Sequence, residues 1–176
     1  GIGSGLIING KLVRGASNAA GEIGHIKLQM NGGPLCGCGD EGCLEAFASG
    51  PSIVAMAEEY IKGGKSAKFR EIANGAPITP FIVCKAANAG DPVAQRIFSK
   101  MGEYIGFGMA SVVNLLNPEK IIVGGGVADA GDYLLAPMKE MLKKRAMKIA
   151  GSAVEIVPAE LGNTAGVIGA SLLIEN

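Results

Sequence analysis

The sequence predicts an α/β fold in which helices cover a β-sheet. Short β-type runs occupy the first third of the chain, the middle has helical periodicity, and strands alternate with helices in the second half. The 176 residues fit one large domain with a loop excursion. Because 48% of the residues are apolar, the chain has enough hydrophobic side chains for a sizeable core and is unlike disordered sequences.

Charge and cysteine content exclude several classes of function. The 16 basic residues balance the 16 acidic residues, which disfavours nucleic-acid binding through a basic surface of this chain. No apolar run reaches the length of about 18 residues that a membrane span needs. A chain with few cysteines and no secretory signal is expected in the cytoplasm, where thiols stay reduced.

The β-type runs come first along the chain. Residues 4–8 and 11–13 flank Asn9-Gly10, and this pair between apolar runs predicts a hairpin because both turn positions need positive φ. Residues 25–30 alternate apolar and polar side chains, which predicts a third strand. Buried strands are also predicted at 120–123 and 153–157.

Helical periodicity and capping residues predict the helices. Thr79 and Asp91 are each followed by a proline at the first helical position, which is typical of helix N-termini. Glycines 102, 106 and 108 interrupt the apolar stripe of the longest helix and predict close packing of another element. The predicted helices are 44–49, 52–61, 68–74, 79–88, 91–116, 133–149 and 165–174.

A cluster of metal-ligand residue types lies near the amino-terminal end. Cys36, Cys38 and Cys43 fall within eight residues, and His25 is the single histidine of the chain. A Cys3His set completes a zinc tetrahedron with no open position, which favours a structural Zn²⁺ site. Two carboxylates, Glu22 and Glu45, bracket these residues and are expected close to the metal.

Two other interpretations of these residues are possible from the sequence. The cysteines would form a disulfide, or His25 would be a hydrogen-bonded polar residue and not a metal ligand. Cys36 and Cys38 are too close in sequence to pair comfortably with each other, and the expected reducing compartment disfavours disulfides. Cys84 lies apart from the cluster on the apolar face of a predicted helix, where it is interpreted as a small buried hydrophobic residue.

Two glycine-rich segments adjoin strand-like residues: residues 1–5, called here the first glycine loop, and residues 124–126, the second glycine loop. Backbone N–H groups of a glycine turn are able to converge on a phosphate without hindrance from a Cβ atom. Neither loop matches a Walker A or dinucleotide-binding fingerprint. The sequence begins as if it continued from a longer chain, just after an apolar strand.

Taken together, these motifs resemble the ROK family of sugar kinases and related repressors. The resemblance covers essentially the whole chain. The residues that resemble the family signature are Gly3-Ser4-Gly5-Leu6, Gly15 and Gly21-Glu22-Ile23-Gly24-His25. The segment that resembles its zinc motif is Cys36-x-Cys38-Gly39-x-x-Gly42-Cys43-x-Glu45. The segment that is similar to the adenosine-contacting strand and loop of the actin-like ATPase superfamily is Ile121-Ile122-Val123-Gly124-Gly125-Gly126-Val127.

The resemblance implies a ribonuclease-H-like lobe of an actin-like ATPase, with a mixed sheet flanked by helices and a zinc-bound loop excursion. ATP, as Mg-ATP, and a hexose would meet in its cleft. Zinc would fix His25 through one ring nitrogen while the other faces the sugar. The implied sugar contacts are Glu22, His25 and Glu45; the implied ATP contacts are Gly3, Ser4 and Gly5 at the phosphates and Gly124, Gly125 and Gly126 at the adenosine.

The sequence departs from the pattern of the family's kinases in two respects. It lacks the Asp-x-Gly-Gly-Thr phosphate loop of the kinases, and their general base, an Asp, would lie upstream of Gly1. Residues 1–176 are therefore predicted to be the C-terminal lobe of a kinase, inactive alone, with the hexose- and zinc-binding segment at 22–45 and the adenosine-binding segment at 120–127.

The leading hypothesis is an ATP-dependent hexokinase of carbohydrate metabolism, with conversion of glucose to glucose 6-phosphate, the first step of glycolysis, as the expected reaction. The intact protein is expected to be a homodimer or homotetramer, with no nucleic-acid or membrane partner through this chain. Two alternatives stay open: the sugar-sensing domain of a ROK-type repressor and a binding module built on a zinc ribbon.

Overall fold

Four strands and eight α-helices are present in residues 1–64 and 68–172, the part of the chain that the computed structural model describes. This arrangement confirms the α/β class. The longest helix and the helices around it form the core. The strands pair with one another at the surface of this core. The helices are α1 (Leu44–Ala48), α2 (Gly50–Lys62), α3 (Lys68–Ala73), α4 (Pro80–Asn88), α5 (Pro92–Leu116), α6 (Asp132–Arg145), α7 (Lys148–Ala153) and α8 (Ala165–Leu172).

The predicted hairpin is confirmed. Strand β1 (Leu6–Ile8) pairs antiparallel with β2 (Lys11–Val13). Asn9 and Gly10 both have positive φ, 52° and 72°, as a two-residue hairpin turn of the primed type requires.

A second pair of strands follows α5. Strands β3 (Lys120–Val123) and β4 (Glu155–Pro158) are parallel, and α6 and α7 form the crossover between them. The single mixed sheet that the resemblance implies is not formed by the described residues, in which β1–β2 and β3–β4 are separate two-stranded sheets. Each of these four strands therefore has one edge that no other strand among the described residues pairs with.

The predicted third strand at residues 25–30 is wrong. Ile23–His25 forms a 3-10 turn, and the following segment contributes only one isolated bridge, between Lys27 and Cys43. The Leu28 N–H donates to the Gly42 carbonyl oxygen at 2.8 Å, but the opposite segment enters α1 at Leu44 immediately afterwards. The pairing therefore ends before a ladder forms.

Helix α5 joins two hydrophobic clusters. Its amino-terminal half, with Phe98 and Met101, packs among α1 to α4, whereas its carboxyl-terminal half, with Met109 and Val113, packs against α6 and the β3–β4 sheet. Complete burial of side chains of this size stabilises a fold by about 1.5–3 kcal/mol each. The predicted role of Cys84 is confirmed, since it lies buried in the first cluster on α4.

The glycines of α5 mark the closest helix contact, as predicted. A Cβ atom on Gly102 would lie 2.3 Å from the Leu134 carbonyl oxygen, and one on Gly106 would lie 2.3 Å from the Met138 carbonyl oxygen. From the first of these contacts to the second, the residue number rises by four in both helices. Helices α5 and α6 therefore run in the same direction at this contact. Only glycine permits this backbone-to-backbone approach.

The predicted helix at 133–149 is interrupted. Helix α6 ends at Arg145, Ala146 is extended, and α7 begins at Lys148. The reason is a contact that sequence spacing does not show: the side-chain oxygen of Asn114 on α5 accepts a hydrogen bond from the Met147 N–H at 2.7 Å. The last predicted helix is present as α8, and residues 173 and 174 of that prediction lie outside the described residues.

Asp91 is expected to be the most important helix cap. Its carboxylate is 2% exposed and accepts hydrogen bonds from the N–H groups of Val93 (2.8 Å), Ala94 (2.9 Å) and Lys68, so it joins α5 to α3. We expect Asp91→Ala to lower the free energy of unfolding, measured in urea, by about 2–3 kcal/mol, since it leaves three donors unpaired. Thr79→Ala, which removes one exposed cap bond, should cost only about 1 kcal/mol. Equal losses in the two variants would contradict the role assigned to Asp91.

None of the helices among residues 1–64 and 68–172 has the length and apolar character needed to cross a membrane.

Candidate functional site

The predicted metal ligands converge in the folded chain. The ligand atoms of His25, Cys36, Cys38 and Cys43, called here the His/Cys cluster, all lie within 4.8 Å of one another. His25 Nδ1 is 3.7 Å from Cys36 Sγ, and Cys38 Sγ is 3.9 Å from Cys43 Sγ. Cys36 and Cys43 are buried, whereas Cys38 is exposed.

These distances fit a tetrahedral zinc site. Zn–S bonds of about 2.3 Å and a Zn–N bond of about 2.0 Å place neighbouring ligand atoms roughly 3.5–3.8 Å apart. A disulfide would need sulfur atoms about 2.05 Å apart, and all four cysteines are free thiols. The donor set therefore suits Zn²⁺ chemically and geometrically, with no position left open for a substrate.

Tight backbone turns bring the cysteines together. The Cys36 N–H donates to the Asp40 carbonyl oxygen at 2.7 Å, and the Gly39 N–H donates back to the Cys36 carbonyl oxygen at 3.0 Å. At Gly42, with φ of 73°, a Cβ atom would lie 2.5 Å from the Gln29 carbonyl oxygen. A side chain at this position would push the two halves of the His/Cys cluster apart.

Lys27 is a member of this region that the sequence interpretation missed. Its ammonium group lies 2.5 Å from an Asp40 carboxylate oxygen, 2.6 Å from the Glu41 carbonyl oxygen and 3.4 Å from Cys43 Sγ. The hydrogen bond with Asp40 raises the pKa of Lys27 and lowers the pKa of Asp40. The alternation of polar and apolar residues around position 27 gave no signal of this contact, because it depends on the turn at 36–40.

The thiols of the cluster differ in acidity. A hydrogen bond from the Asp40 backbone lowers the pKa of Cys38, which favours the thiolate that a metal binds. Burial raises the pKa of Cys43, and the neighbouring Lys27 ammonium opposes that change.

The two ring nitrogens of His25 face different groups. Nδ1 points to the sulfur of Cys36, while Nε2 lies 3.8 Å from a carboxylate oxygen of Glu22. The His25 side chain is 37% exposed and that of Glu22 is 62% exposed. The arrangement turns Nδ1 toward the cysteines of the cluster and Nε2 toward the Glu22 carboxylate.

The carboxylate of Glu45, in the first turn of α1, accepts a hydrogen bond from the Ile2 N–H at 2.8 Å. At Gly24 a Cβ atom would lie 2.3 Å from the Ile2 carbonyl oxygen. The Ser4 hydroxyl donates to the Gly21 carbonyl oxygen at 2.6 Å. Residues 21–25, called here the carboxylate segment, therefore pack directly on the first glycine loop.

Both glycine loops line one central cavity of about 500 Å³. Ile23 of the carboxylate segment also lines this cavity, but Glu22, His25 and Glu45 are outside its wall. The structure thus brings the two predicted nucleotide loops together at one cavity and places the predicted sugar contacts beside it. The remaining wall is mostly apolar and includes Ile105, Met109, Val112, Leu116, Ile121 and Val123.

Comparison with known proteins agrees with this geometry. The model of the ROK family matches residues 1–176. The chain belongs to the ROK family.

Its relatives in that family include both enzymes and regulators. A glucokinase of Halalkalibacterium halodurans is 39% identical over 99% of this chain and 53% of that enzyme. A xylose repressor of Caldicellulosiruptor bescii is 32% identical over 99% of this chain and 43% of the repressor. The crystal structure of a ROK family glucokinase from Streptomyces griseus, in complex with glucose and AMPPNP, has a TM-score of 0.81 and 34% identity, covering 97% of this chain and 56% of that one. This ROK chain thus spans about half the length of the curated relatives that it matches.

Proposed function

We propose that this chain is the C-terminal lobe, residues 1–176, of an ATP-dependent sugar kinase that converts glucose to glucose 6-phosphate. One observation carries the proposal: the carboxylate segment and Glu45 both contact the first glycine loop, through the close approach of Gly24 to Ile2 and the Ile2–Glu45 hydrogen bond. A kinase needs its hydroxyl acceptor and its phosphate donor adjacent. The similarity to a glucokinase that binds glucose and AMPPNP supports both ligands.

In this proposal Glu22, His25 and Glu45 bind the hexose. A carboxylate accepts hydrogen bonds from two vicinal hydroxyl groups, and the partly exposed His25 side chain places Nε2 3.8 Å from the Glu22 carboxylate. Glu45 also accepts from the Ile2 N–H, so a hexose bound by it would be fixed relative to the first glycine loop.

The glycine loops would bind Mg-ATP. Gly3, Ser4 and Gly5 would approach the phosphates, and Gly124, Gly125 and Gly126 the adenosine. A Cβ atom at Gly3 or Gly125 would meet no atom of the described part of the chain within 4 Å, so within that part the backbone at both positions borders open space. Gly125 has a φ of 87°, which orients its N–H group as a left-handed turn does.

Zn²⁺ would bind at His25, Cys36, Cys38 and Cys43 and act as a structural element. With no open position, it supplies no Lewis-acid chemistry to a substrate and instead fixes the ring of His25 and the loop that leads to Glu45.

Phosphoryl transfer would take place only in the intact protein, which we expect to be a homodimer or homotetramer. A sugar hydroxyl would attack the γ-phosphorus of Mg-ATP, the bond to the ADP oxygen would break, and the hydroxyl proton would pass to an Asp supplied from outside residues 1–176. Such a base must lie within hydrogen-bond reach of the hydroxyl.

Hexose-dependent ADP release is the test of this function. The intact polypeptide that contains residues 1–176, with zinc bound, should release ADP on addition of glucose, and residues 1–176 alone should not. Absence of hexose-dependent ADP release from the intact, zinc-loaded protein, over a panel of hexoses, would overturn the kinase assignment.

Glu22→Gln in the intact protein should raise the KM for glucose by about 10-fold or more, since it replaces an ionised hydrogen-bond acceptor with a weaker one. The KM for ATP should stay unchanged. Glu59→Gln, at an exposed position of α2 away from the site, is the matched control and should leave both constants as they are. Equal effects of Glu22→Gln on the two KM values would remove Glu22 from the hexose site.

The sugar-sensing domain of a repressor is the second candidate. The xylose repressor of C. bescii matches 99% of this chain, so the same lobe occurs in proteins named as regulators. A repressor would release operator DNA when a sugar binds and would release no ADP, and the assay above separates the two.

A further inference from the structure

Lys27 lies beside the His/Cys cluster, and the backbone fixes its place there. Lys27 and Cys43 form an isolated antiparallel bridge. The neighbouring Leu28 N–H donates to the Gly42 carbonyl oxygen at 2.8 Å, which holds the two segments together at this point. The side chain of Lys27 therefore starts opposite one of the cysteines of the cluster and crosses the turn that carries them.

The ammonium group of Lys27 is surrounded by acceptors from residues 40–43. An ammonium group has three N–H donors and no acceptor. Three acceptors lie around Nζ: a carboxylate oxygen of Asp40 at 2.5 Å, the carbonyl oxygen of Glu41 at 2.6 Å and the sulfur of Cys43 at 3.4 Å. Because the two oxygen atoms hold the group in place, its remaining N–H is directed to the sulfur.

The sulfur that Lys27 contacts is the most buried of the three in the cluster. Cys43 is 1% exposed, so its thiolate has little access to water, and burial of an unpaired negative charge is unfavourable. Three thiolates and a neutral imidazole around Zn²⁺ leave one negative charge in excess. The ammonium group at 3.4 Å offsets this excess at the ligand that solvent reaches least.

We propose that Lys27 is a positioning residue of the metal site, which donates a charge-assisted hydrogen bond to the zinc-bound sulfur of Cys43 and so raises the affinity for Zn²⁺. Asp40 and Glu41 support the ammonium group and have no direct effect on the metal. The proposal rests on the zinc site of the proposed function but on no step of phosphoryl transfer. Groups that contact a metal ligand in this way typically change metal affinity by about 10- to 100-fold when they are removed.

A purely structural role for Lys27 makes different predictions. Lys27 also ties Asp40 and Glu41 to its own segment of the chain, and such a tie would stabilise the loop with or without metal. A charge at the sulfur acts only on the metal-bound thiolate. The two roles therefore differ in the metal-free protein and in the electronic properties of the bound sulfur.

The zinc affinity of three variants of the intact protein, measured by competition with a chromophoric chelator, tests the proposal. Lys27→Met keeps most of the length of the side chain and removes its charge, so we expect it to weaken zinc binding at least about 10-fold. Asp40→Asn keeps the ammonium group and should bind zinc within about 3-fold of the parent. Lys100→Met is the matched control, since Lys100 is also ion-paired, with Glu103 on α5 at 2.9 Å, and its loss should leave zinc affinity unchanged.

Cobalt gives a readout at the sulfur itself. In protein loaded with Co²⁺ in place of Zn²⁺, the thiolate-to-metal charge-transfer band should move to longer wavelength in Lys27→Met, because loss of a nearby positive charge raises the energy of the sulfur electrons. The metal-free forms of Lys27→Met and the parent should melt within about 3 °C of each other. A tie between loop segments would leave the band in place and lower the melting temperature of the metal-free variant.

Three results would overturn the proposal. Zinc binding of equal strength in Lys27→Met and a zinc-binding parent would remove the role of Lys27 alone and leave the metal site as proposed. Equal losses of affinity in Lys27→Met and Asp40→Asn would assign the effect to the turn and not to the charge at the sulfur. A parent protein that binds no zinc would remove the metal site of the proposed function together with this role.

Discussion

A Cys43→Ser variant is expected to bind far less than one Zn²⁺ per chain and to melt at least about 10 °C below the parent protein. Cys43 is 1% exposed, and its sulfur lies 3.9 Å from that of Cys38 at the centre of the His/Cys cluster. If Zn²⁺ binds the folded loop and not an unfolded one, as proposed, loss of a ligand removes binding free energy from the stability of the fold. Metal analysis and thermal unfolding at fixed zinc concentration measure the two effects.

Cys84→Ala is the matched control for this variant. Cys84 is also a buried free thiol, but it lies on α4 and outside the His/Cys cluster. Its removal should leave one zinc per chain and cause only the loss expected for a small core side chain. Full zinc occupancy in the Cys43→Ser variant, or zinc loss in Cys84→Ala, would show that the cluster is not the metal site.

A Gly106→Ala variant is expected to lose about 1–3 kcal/mol of unfolding free energy, although alanine is the better helix former by about 1 kcal/mol. The added Cβ atom would lie 2.3 Å from the Met138 carbonyl oxygen and 3.0 Å from Met141 Cβ. The backbone of α6 would have to move away from α5, which separates side chains of the second core cluster such as Met109 and Leu142. Urea unfolding of the variant and the parent measures the difference.

Gly169→Ala gives the same substitution without the contact. Gly169 lies inside α8, and a Cβ atom there would meet no atom of residues 1–64 or 68–172 within 4 Å. Helix propensity alone should then act, and the variant should be as stable as the parent or more stable by up to about 1 kcal/mol. If Gly106→Ala were also stabilising, the helices would not approach as closely as the structure shows.

Signals confined to neighbouring residues were sufficient for much of this fold. Asn9-Gly10 predicted the hairpin, and the proline that follows Asp91 predicted the start of the longest helix. The spacing of Cys36, Cys38 and Cys43 predicted a cluster with His25, because the intervening glycines leave few other ways to close the loop. In each case the interacting groups are close in sequence or the residue type has one strong physical preference.

Contacts between segments that are distant in sequence were not predicted. The break after α6 depends on Asn114, 33 residues away from its partner Met147, and the Glu45–Ile2 hydrogen bond spans 43 residues. The prediction of a third strand was wrong for the same reason, because the segment opposite it enters α1 after one bridge. Periodicity reports which face of a segment is apolar, not whether a partner strand is available.

The hexose affinity of the intact protein, measured by calorimetric titration with and without zinc, tests the central claim most directly. If the metal holds His25 and the loop to Glu45 in place, removal of zinc with a chelator should weaken glucose binding by at least about 10-fold, and added zinc should restore it. Glucose binding of equal strength in the zinc-free protein would contradict the claim that the His/Cys cluster organises the sugar site.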